Sequence, residues 1–293
     1  MKKEAEVAIL RVRGGQGVVT SDWVAAERPL EILVRAAGEE CVLSTTMRTP
    51  GEDRALAVGF LFGERVIENP NDLLVAESVD DNTVRLQLAP RAQAALEAAR
   101  RPFVTTGACG VCGRTDLDAL LASVSPGDHR AATLPRAKVT IAAAVVHALP
   151  TLLRQAQATF SRTGGLHAAG FFAPDGQARL VLEDVGRHNA VDKLVGTEIL
   201  GGCLPEPDTV LVVSGRASFE LVQKAAVAGI SIMAAVGAPS SLAVEIARGA
   251  GMTLLGFVRN GGFNVYCGAE RLSGVSTQGA GVESTRDALA SWA

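Results

Sequence analysis

Aromatic residues are scarce in this chain: nine Phe, two Trp and one Tyr amount to 4% of 293 residues, so Ala, Val, Leu and Ile must supply most of any core. Cysteine is sparse as well. Five thiols are too few and too odd in number for the disulfide framework of a secreted domain. No run approaches the roughly 18 to 20 uncharged apolar residues of a membrane span, and the opening MKKEAEVAIL has no long apolar segment after its two lysines. Charge is nearly balanced, 28 basic against 31 acidic residues, so no global field draws the protein to nucleic acid or to an anionic membrane. These absences predict a cytoplasmic protein without a membrane or nucleic-acid partner, in which any anionic ligand is held by a local basic cluster.

With 48% hydrophobic and 20% charged residues, the composition is that of a globular chain, and the length suits one large domain or two moderate ones. Glu31–Arg35 and Cys41–Ser44 read as strands of a hairpin around Ala37-Gly38, and the spacing of Leu56, Val58, Phe60 and Leu61 predicts a helix closed by Gly63. Thr83–Leu88 reads as a strand and Arg91–Arg101 as a short helix. Two helices are expected over Ala137–Leu149 and Thr151–Phe160, with Pro150 in the first turn of the second. From His167 to Val258 strands and helices of about ten residues alternate, which implies crossovers and a mainly parallel sheet covered on both faces. The Gly- and Ser-rich stretch from Ser273 to Thr285 is expected to be mobile. The expected division is a β-rich N-terminal domain over 1–101, a linker over 102–135 and an α/β domain over 136–293.

Three constellations could carry chemistry. Thr105-Thr-Gly-Ala-Cys109-Gly-Val-Cys112-Gly-Arg114 sets two thiols in a glycine-rich segment, where Arg114 and a following helix start would favour thiolate. Redox or sulfur-transfer chemistry, half of a metal site, and two inert thiols all remain open from this pattern. Cys41, Cys203 and Cys267 stand alone, with no second Cys-x-x-Cys to complete a structural zinc site. Next, Val185-Gly-Arg187-His188-Asn189 and Val213-Ser-Gly-Arg216-Ala-Ser218 both make strand-to-helix turns, where amide donors and arginine suit phosphate; the alternative is that Arg187 and Arg216 simply pair with Asp184 and Glu220. Last, Gly256-Phe257-Val258-Arg259-Asn260-Gly261-Gly262 offers a guanidinium, a flat ring and bare backbone, though Asn-Gly-Gly also suits a plain hairpin connection. His167 could be an interior hydrogen-bonded side chain, and His129 and His147 have no evident company.

Taken in order, Thr106-Gly-Ala-Cys109-Gly-Val-Cys112-Gly, Ser161-Arg-Thr-Gly-Gly-Leu-His167, Glu183-Asp-Val-Gly-Arg-His-Asn-Ala-Val-Asp-Lys193, Val213-Ser-Gly-Arg216 and Gly256-Phe-Val-Arg259 resemble the formate dehydrogenase accessory sulfurtransferase family, the FdhD family, over roughly residues 20 to 270. The resemblance implies a sulfurtransferase that takes sulfur from a cysteine desulfurase as a persulfide on Cys109, with Cys112 as relay or assisting thiol. It then passes the sulfur to the molybdenum cofactor bis-molybdopterin guanine dinucleotide, bound as substrate through Phe257, Val258, Arg259, Asn260, Gly261 and Gly262, for delivery to the formate dehydrogenase catalytic subunit. A homodimer is implied too, with Leu242–Ala250 either at its contact or an ordinary core helix.

The C-terminal half also looks like the cytidine-deaminase fold, which raises a zinc hydrolase as a rival. Deaminases place His-x-Glu and Pro-Cys-x-x-Cys at two helix starts. Here those positions read His188-Asn189-Ala190 and Arg216-Ala217-Ser218-Phe219, without the glutamate or the cysteines, so no metal site is expected. The overall expectation is an α/β protein: a deaminase-like C-terminal domain with a mixed, mainly parallel sheet and a smaller β-rich N-terminal domain. Two other rivals are a cofactor chaperone without covalent chemistry and a thiol-disulfide oxidoreductase, whose Cys-x-x-Cys would start a helix directly after a strand.

Overall fold

The computed structural model describes residues 1–99, 139–259 and 261–276. The expected linker with Cys109, Cys112 and His129, the residue Asn260 and the tail beyond 276 lie outside them.

The chain opens with a hairpin that the sequence reading missed: β1 (Glu4–Arg13) pairs antiparallel with β2 (Gln16–Ala25) as a separate two-stranded sheet. Its apolar residues do not show the alternation of a half-buried strand, because Leu10, Val12, Val18 and Val19 are all exposed. The expected hairpin around Ala37-Gly38 is present as β3 (Arg28–Ala36) and β4 (Glu39–Arg48); both turn residues have positive φ, 49° and 90°, the twist a two-residue connection needs. With β5 (Leu73–Asp80) and β6 (Thr83–Leu88) these strands form a sheet of order β4-β3-β6-β5, with α1 (Asp53–Gly63) against it. The short α2 spans Gln93–Ala99.

The C-terminal half begins with β7 (Ile141–Ala142), α3 (Ala143–Ala156) and α4 (Ala158–Thr163). The predicted break at Pro150 does not occur. Val146, Leu149 and Leu153 continue one buried stripe across the proline, and that burial holds the helix together despite the missing hydrogen bond; the chain turns only at Gln157. Then follow β8 (His167–Phe172), β9 (Ala178–Asp184), α5 (Arg187–Leu200), β10 (Val210–Val213), α6 (Phe219–Val227), β11 (Ile232–Ala235), α7 (Ser241–Gly249), β12 (Thr253–Arg259), β13 (Gly262–Cys267) and β14 (Leu272–Ser273), which pairs with β7.

The main sheet has the order β13-β12-β11-β10-β8-β9 and is mixed, not mainly parallel. Only β10–β11 and β11–β12 run parallel; β8–β9, β8–β10 and β12–β13 are antiparallel. The reason is connection length, since the turns between β8 and β9 and between β12 and β13 are too short for a crossover helix. Both faces are covered, as expected: Val210, Val212 and Ile232 pack with Val146 and Leu149 of α3, while Leu211, Val213 and Met233 pack with residues of α5, α6 and α7. The second of these clusters continues through α1 into Leu30, Ile32, Val34, Val84 and Leu86, so one core runs from the main sheet into the N-terminal sheet.

The join is the crossing of α1 and α5. A Cβ on Gly59 would lie 1.9 Å from the Asp192 carbonyl oxygen, and one on Gly196 only 1.8 Å from that of Ala55, so the two helix backbones touch where only glycine fits. Gly196→Ala is therefore expected to cost about 1–3 kcal/mol or more by forcing the helices apart. A denaturant midpoint that matches wild type would refute the close-contact account.

Candidate functional site

The most motif-like segment, Glu183 to Lys193, turns out to serve two purposes. Part of it is a structural lock. Lys193 and Asp184, both fully buried, form an ion pair of 2.8 Å, and the Lys193 ammonium also donates to the Thr49 carbonyl at 2.9 Å. Asp184 accepts from the amides of Thr49 (3.1 Å) and Gly186 (2.8 Å) and from the Asn189 side chain (2.9 Å), which in turn donates to the Met47 carbonyl. Glu183 accepts from the amides of Thr159 and Phe160 at 2.9 and 2.8 Å and so caps the start of α4. Arg48, also fully buried, holds Asp53 through two 2.9 Å bonds and the Asp81 carbonyl at 2.8 Å. Thus Asp184, Asn189 and Lys193 tie the loop between β4 and α1 to the end of β9.

The rest of the segment faces the sheet edge where β9 and β10 end. Asp184 and Glu220 are not the partners of Arg187 and Arg216 that the alternative sequence reading supposed. Lys193 takes Asp184, and His188 takes Glu220, Nε2 to Oε2 at 2.7 Å, with the Ser218 hydroxyl 3.2 Å from the same nitrogen. Arg187 and Arg216 have no carboxylate partner among the described residues, and the Arg187 Nε is buried without a hydrogen bond. The two starts that the deaminase comparison singled out do meet, through His188 and Ser218, but as an imidazole, a hydroxyl and the Glu220 carboxylate. Among the described residues no group of three His, Cys, Asp or Glu side chains could hold a metal ion.

Neighbouring turns continue this edge. His167 starts β8 opposite Asp184, and a Cβ on Gly215 would sit 3.4 Å from its Nδ1 and 4.0 Å from Arg187 Cδ. Arg216 lies over Gly237, where a Cβ would come within 3.0 Å of it. The Gly237 carbonyl accepts from the Phe257 amide at 3.1 Å. Phe257 has φ of 52°, unusual for a side chain with a Cβ, because a bulge between Gly256 and Arg259 inserts one extra residue into β12 opposite β13. Phe257 is 39% exposed, whereas Val258 is 1% exposed and anchors the hairpin in the core. Arg259, Gly261 and Gly262 are exposed around the turn, where a Cβ on either glycine would meet open space. His147, which had no evident company in the sequence, lies with Nδ1 3.4 Å from the Arg259 carbonyl and its ring 5.1 Å from that of Phe263.

Within Ser161 to His167 only His167 reaches this edge. Arg162 pairs instead with Glu4 and stacks on Trp23, 4.4 Å above the ring, beside a cleft of about 450 Å³ that also has Lys2, Lys3 and Thr159 on its walls. Gly164, with φ of 67°, ends α4. The edge therefore gathers Arg187, Arg216, His167, the Phe257 ring and bare glycine backbone in one row, an arrangement suited to an extended anion with a flat end.

The model of the FdhD/NarQ family matches residues 25–273. The chain belongs to this family. It is 46% identical over 277 residues to a protein of Nocardia farcinica named sulfur carrier protein FdhD, with 92% of this chain and 94% of the relative covered. A protein of the same name from Streptomyces coelicolor is 45% identical, with 90% and 94% covered, and one from Sulfurisphaera tokodaii is 38% identical, with 91% and 98% covered. A solved structure from Desulfotalea psychrophila, of a protein proposed as a formate dehydrogenase accessory protein, superposes with a TM-score of 0.71 over 92% of this chain and all of that one; at 22% identity it shares the mixed α/β fold.

Within the family segment Glu183 to Lys193, the lock makes a testable claim. Lys193→Met leaves the Asp184 charge buried without its partner, and Asp184→Asn leaves Lys193 only the partly exposed Glu52 carboxylate at 4.0 Å; each is expected to cost about 3–5 kcal/mol. The double variant is expected to cost clearly less than the sum, and additive losses in urea unfolding would count against a coupled pair.

Proposed function

We propose that the protein is a sulfur carrier that accepts sulfur from a cysteine desulfurase as a persulfide on Cys109 and passes it to bis-molybdopterin guanine dinucleotide, bound as substrate, for formate dehydrogenase. The names of its relatives support the sulfur half of this reading. The observation that carries the cofactor half is that Arg187 and Arg216 along this edge, and Arg259 at the β12–β13 turn, have no carboxylate partner among the described residues, together with the partly exposed Phe257. A guanine dinucleotide has a pyrophosphate that suits guanidinium forks and bases that suit an aromatic face.

In the loading step the Cys109 thiolate attacks the terminal sulfur of the desulfurase persulfide. A new S–S bond forms at Cys109, the donor's S–S bond breaks, and the donor cysteine leaves with the electron pair as thiolate, so no outside oxidant is consumed. Cys112 assists as a second thiol. Arg187, Arg216 and Arg259, with the segment Phe257 to Gly262, hold the acceptor; Val258 acts by anchoring that segment, because its own side chain is buried. The partners in this reading are the desulfurase, the formate dehydrogenase catalytic subunit and a second copy of the chain, in the cytoplasm. Among the described residues no helix is long and apolar enough to cross a membrane. The deaminase-like description of the C-terminal half belongs to the same proposal, supported by the meeting of His188 and Ser218.

Intact-protein mass spectrometry after incubation with a cysteine desulfurase and cysteine tests the reading. Wild type is expected to gain one sulfur that reductant removes, and Cys109→Ala to gain none. If Cys109→Ala still activates formate dehydrogenase fully, covalent carriage is wrong and a cofactor-delivery chaperone takes its place.

A further inference from the structure

His167 is the motif residue that the carrier reading leaves without a task. Its imidazole is partly buried at the start of β8, and among the described residues no group hydrogen-bonds to it. The charged and titratable groups around it are Arg187 and His188 on α5 and Asp184 on β9, and the bare backbone of Gly215 closes the side toward β10. Burial first, then the Arg187 guanidinium and His188, hold its pKa below the ordinary imidazole value, against a weaker opposing pull from Asp184. The Asp184 charge is in turn taken up by Lys193. His167 is therefore neutral at neutral pH, with a ring nitrogen free to accept or, once protonated, to donate.

Beside it, the Arg187 Nε is a buried donor with nothing to donate to, a condition that protein interiors rarely leave standing. The helix starts at Gly186 and Ser218, which flank this corner, have no side-chain cap. The two carboxylates near the corner are already engaged, Asp184 by Lys193 and Glu220 by His188, so what it leaves for a ligand is the Arg187 guanidinium, the His167 ring and the amides of the helix starts. We propose that His167 and Arg187 together form the subsite for one phosphate of the cofactor's pyrophosphate, and that His167 takes up a proton when that phosphate binds. The proposal rests on the cofactor reading above and adds to it a proton linkage.

The direction follows from charge. A phosphate oxyanion beside the ring favours imidazolium, so the bound-state pKa lies above the depressed free-state one. Between the two values each binding event draws up to one proton from solvent onto His167, and affinity rises by up to tenfold for each pH unit of fall. Above both values the ring is neutral in either state and affinity is flat.

The test is calorimetry with diguanosine pyrophosphate, whose phosphates stay singly ionised across the range, in buffers of different ionisation enthalpy at about pH 6 and about pH 8. Wild type is expected to take up a large fraction of one proton at the lower pH and much less at the higher. His167→Gln is expected to abolish the uptake and weaken binding about tenfold at the lower pH, whereas His188→Gln keeps the uptake. Arg187→Gln, a second variant at the corner, is expected to lose at least about tenfold in affinity. Binding by wild type without proton uptake, or uptake that survives in His167→Gln, overturns the His167 assignment and leaves the cofactor reading standing. Failure of wild type to bind at all overturns the cofactor reading and this inference with it.

Discussion

An ammonium group sealed from water has to be ringed by oxygen, and Lys193 finds that ring only where β9, α5 and the loop before α1 converge. Its bonds to Asp184 and to the Thr49 carbonyl join segments about 140 residues apart in the chain. Losing either charge of the Lys193–Asp184 pair leaves the other in the core without its partner, so the three segments hold one another in place. The glycine crossing of α1 and α5 lies just beyond, and there the Asp192 carbonyl fills the space that a side chain on Gly59 would need. Lys224 of α6 extends the arrangement. It pairs with Asp192 at 2.7 Å, one helical turn from the His188–Glu220 contact, so α5 and α6 meet along two successive polar contacts.

That rigidity divides the motif segment by function. Asp184, Asn189 and Lys193 face inward and are satisfied by the protein itself, whereas Arg187 at the first turn of the same helix faces a sheet edge where nothing in the described protein answers its charge. The locked base keeps a cation in place without a carboxylate beside it. Such an arrangement is costly unless a ligand shares it, and this is the physical reason the edge between His167 and Phe257 reads as a binding surface.

Local pattern was enough for much of the fold. The Ala37-Gly38 hairpin, the helix ending at Gly63 and the alternation from His167 to Val258 all appear close to where periodicity and turn chemistry put them. The failures share a cause. Pro150 marks a helix start only when local propensity decides, and here the buried stripe of Val146, Leu149 and Leu153 overrode it. The exposed β1–β2 hairpin lacks the period-two burial that makes a strand visible, and the antiparallel pairing of β8 with β10 was hidden because strand direction depends on which neighbours pair.

The amino-acid order alone fixed the element types, the apolar faces, the motif blocks of the FdhD/NarQ family and the candidate residues at strand ends, because these depend on neighbours a few positions apart. Which cations are paired was decided by tertiary structure. Asp184 and Glu220 stand within five residues of Arg187 and Arg216 in the chain, yet their charges go to Lys193 and His188. A carboxylate bonds to the donor that the packed helices deliver at 2.7 to 2.8 Å, and sequence distance does not contain that direction.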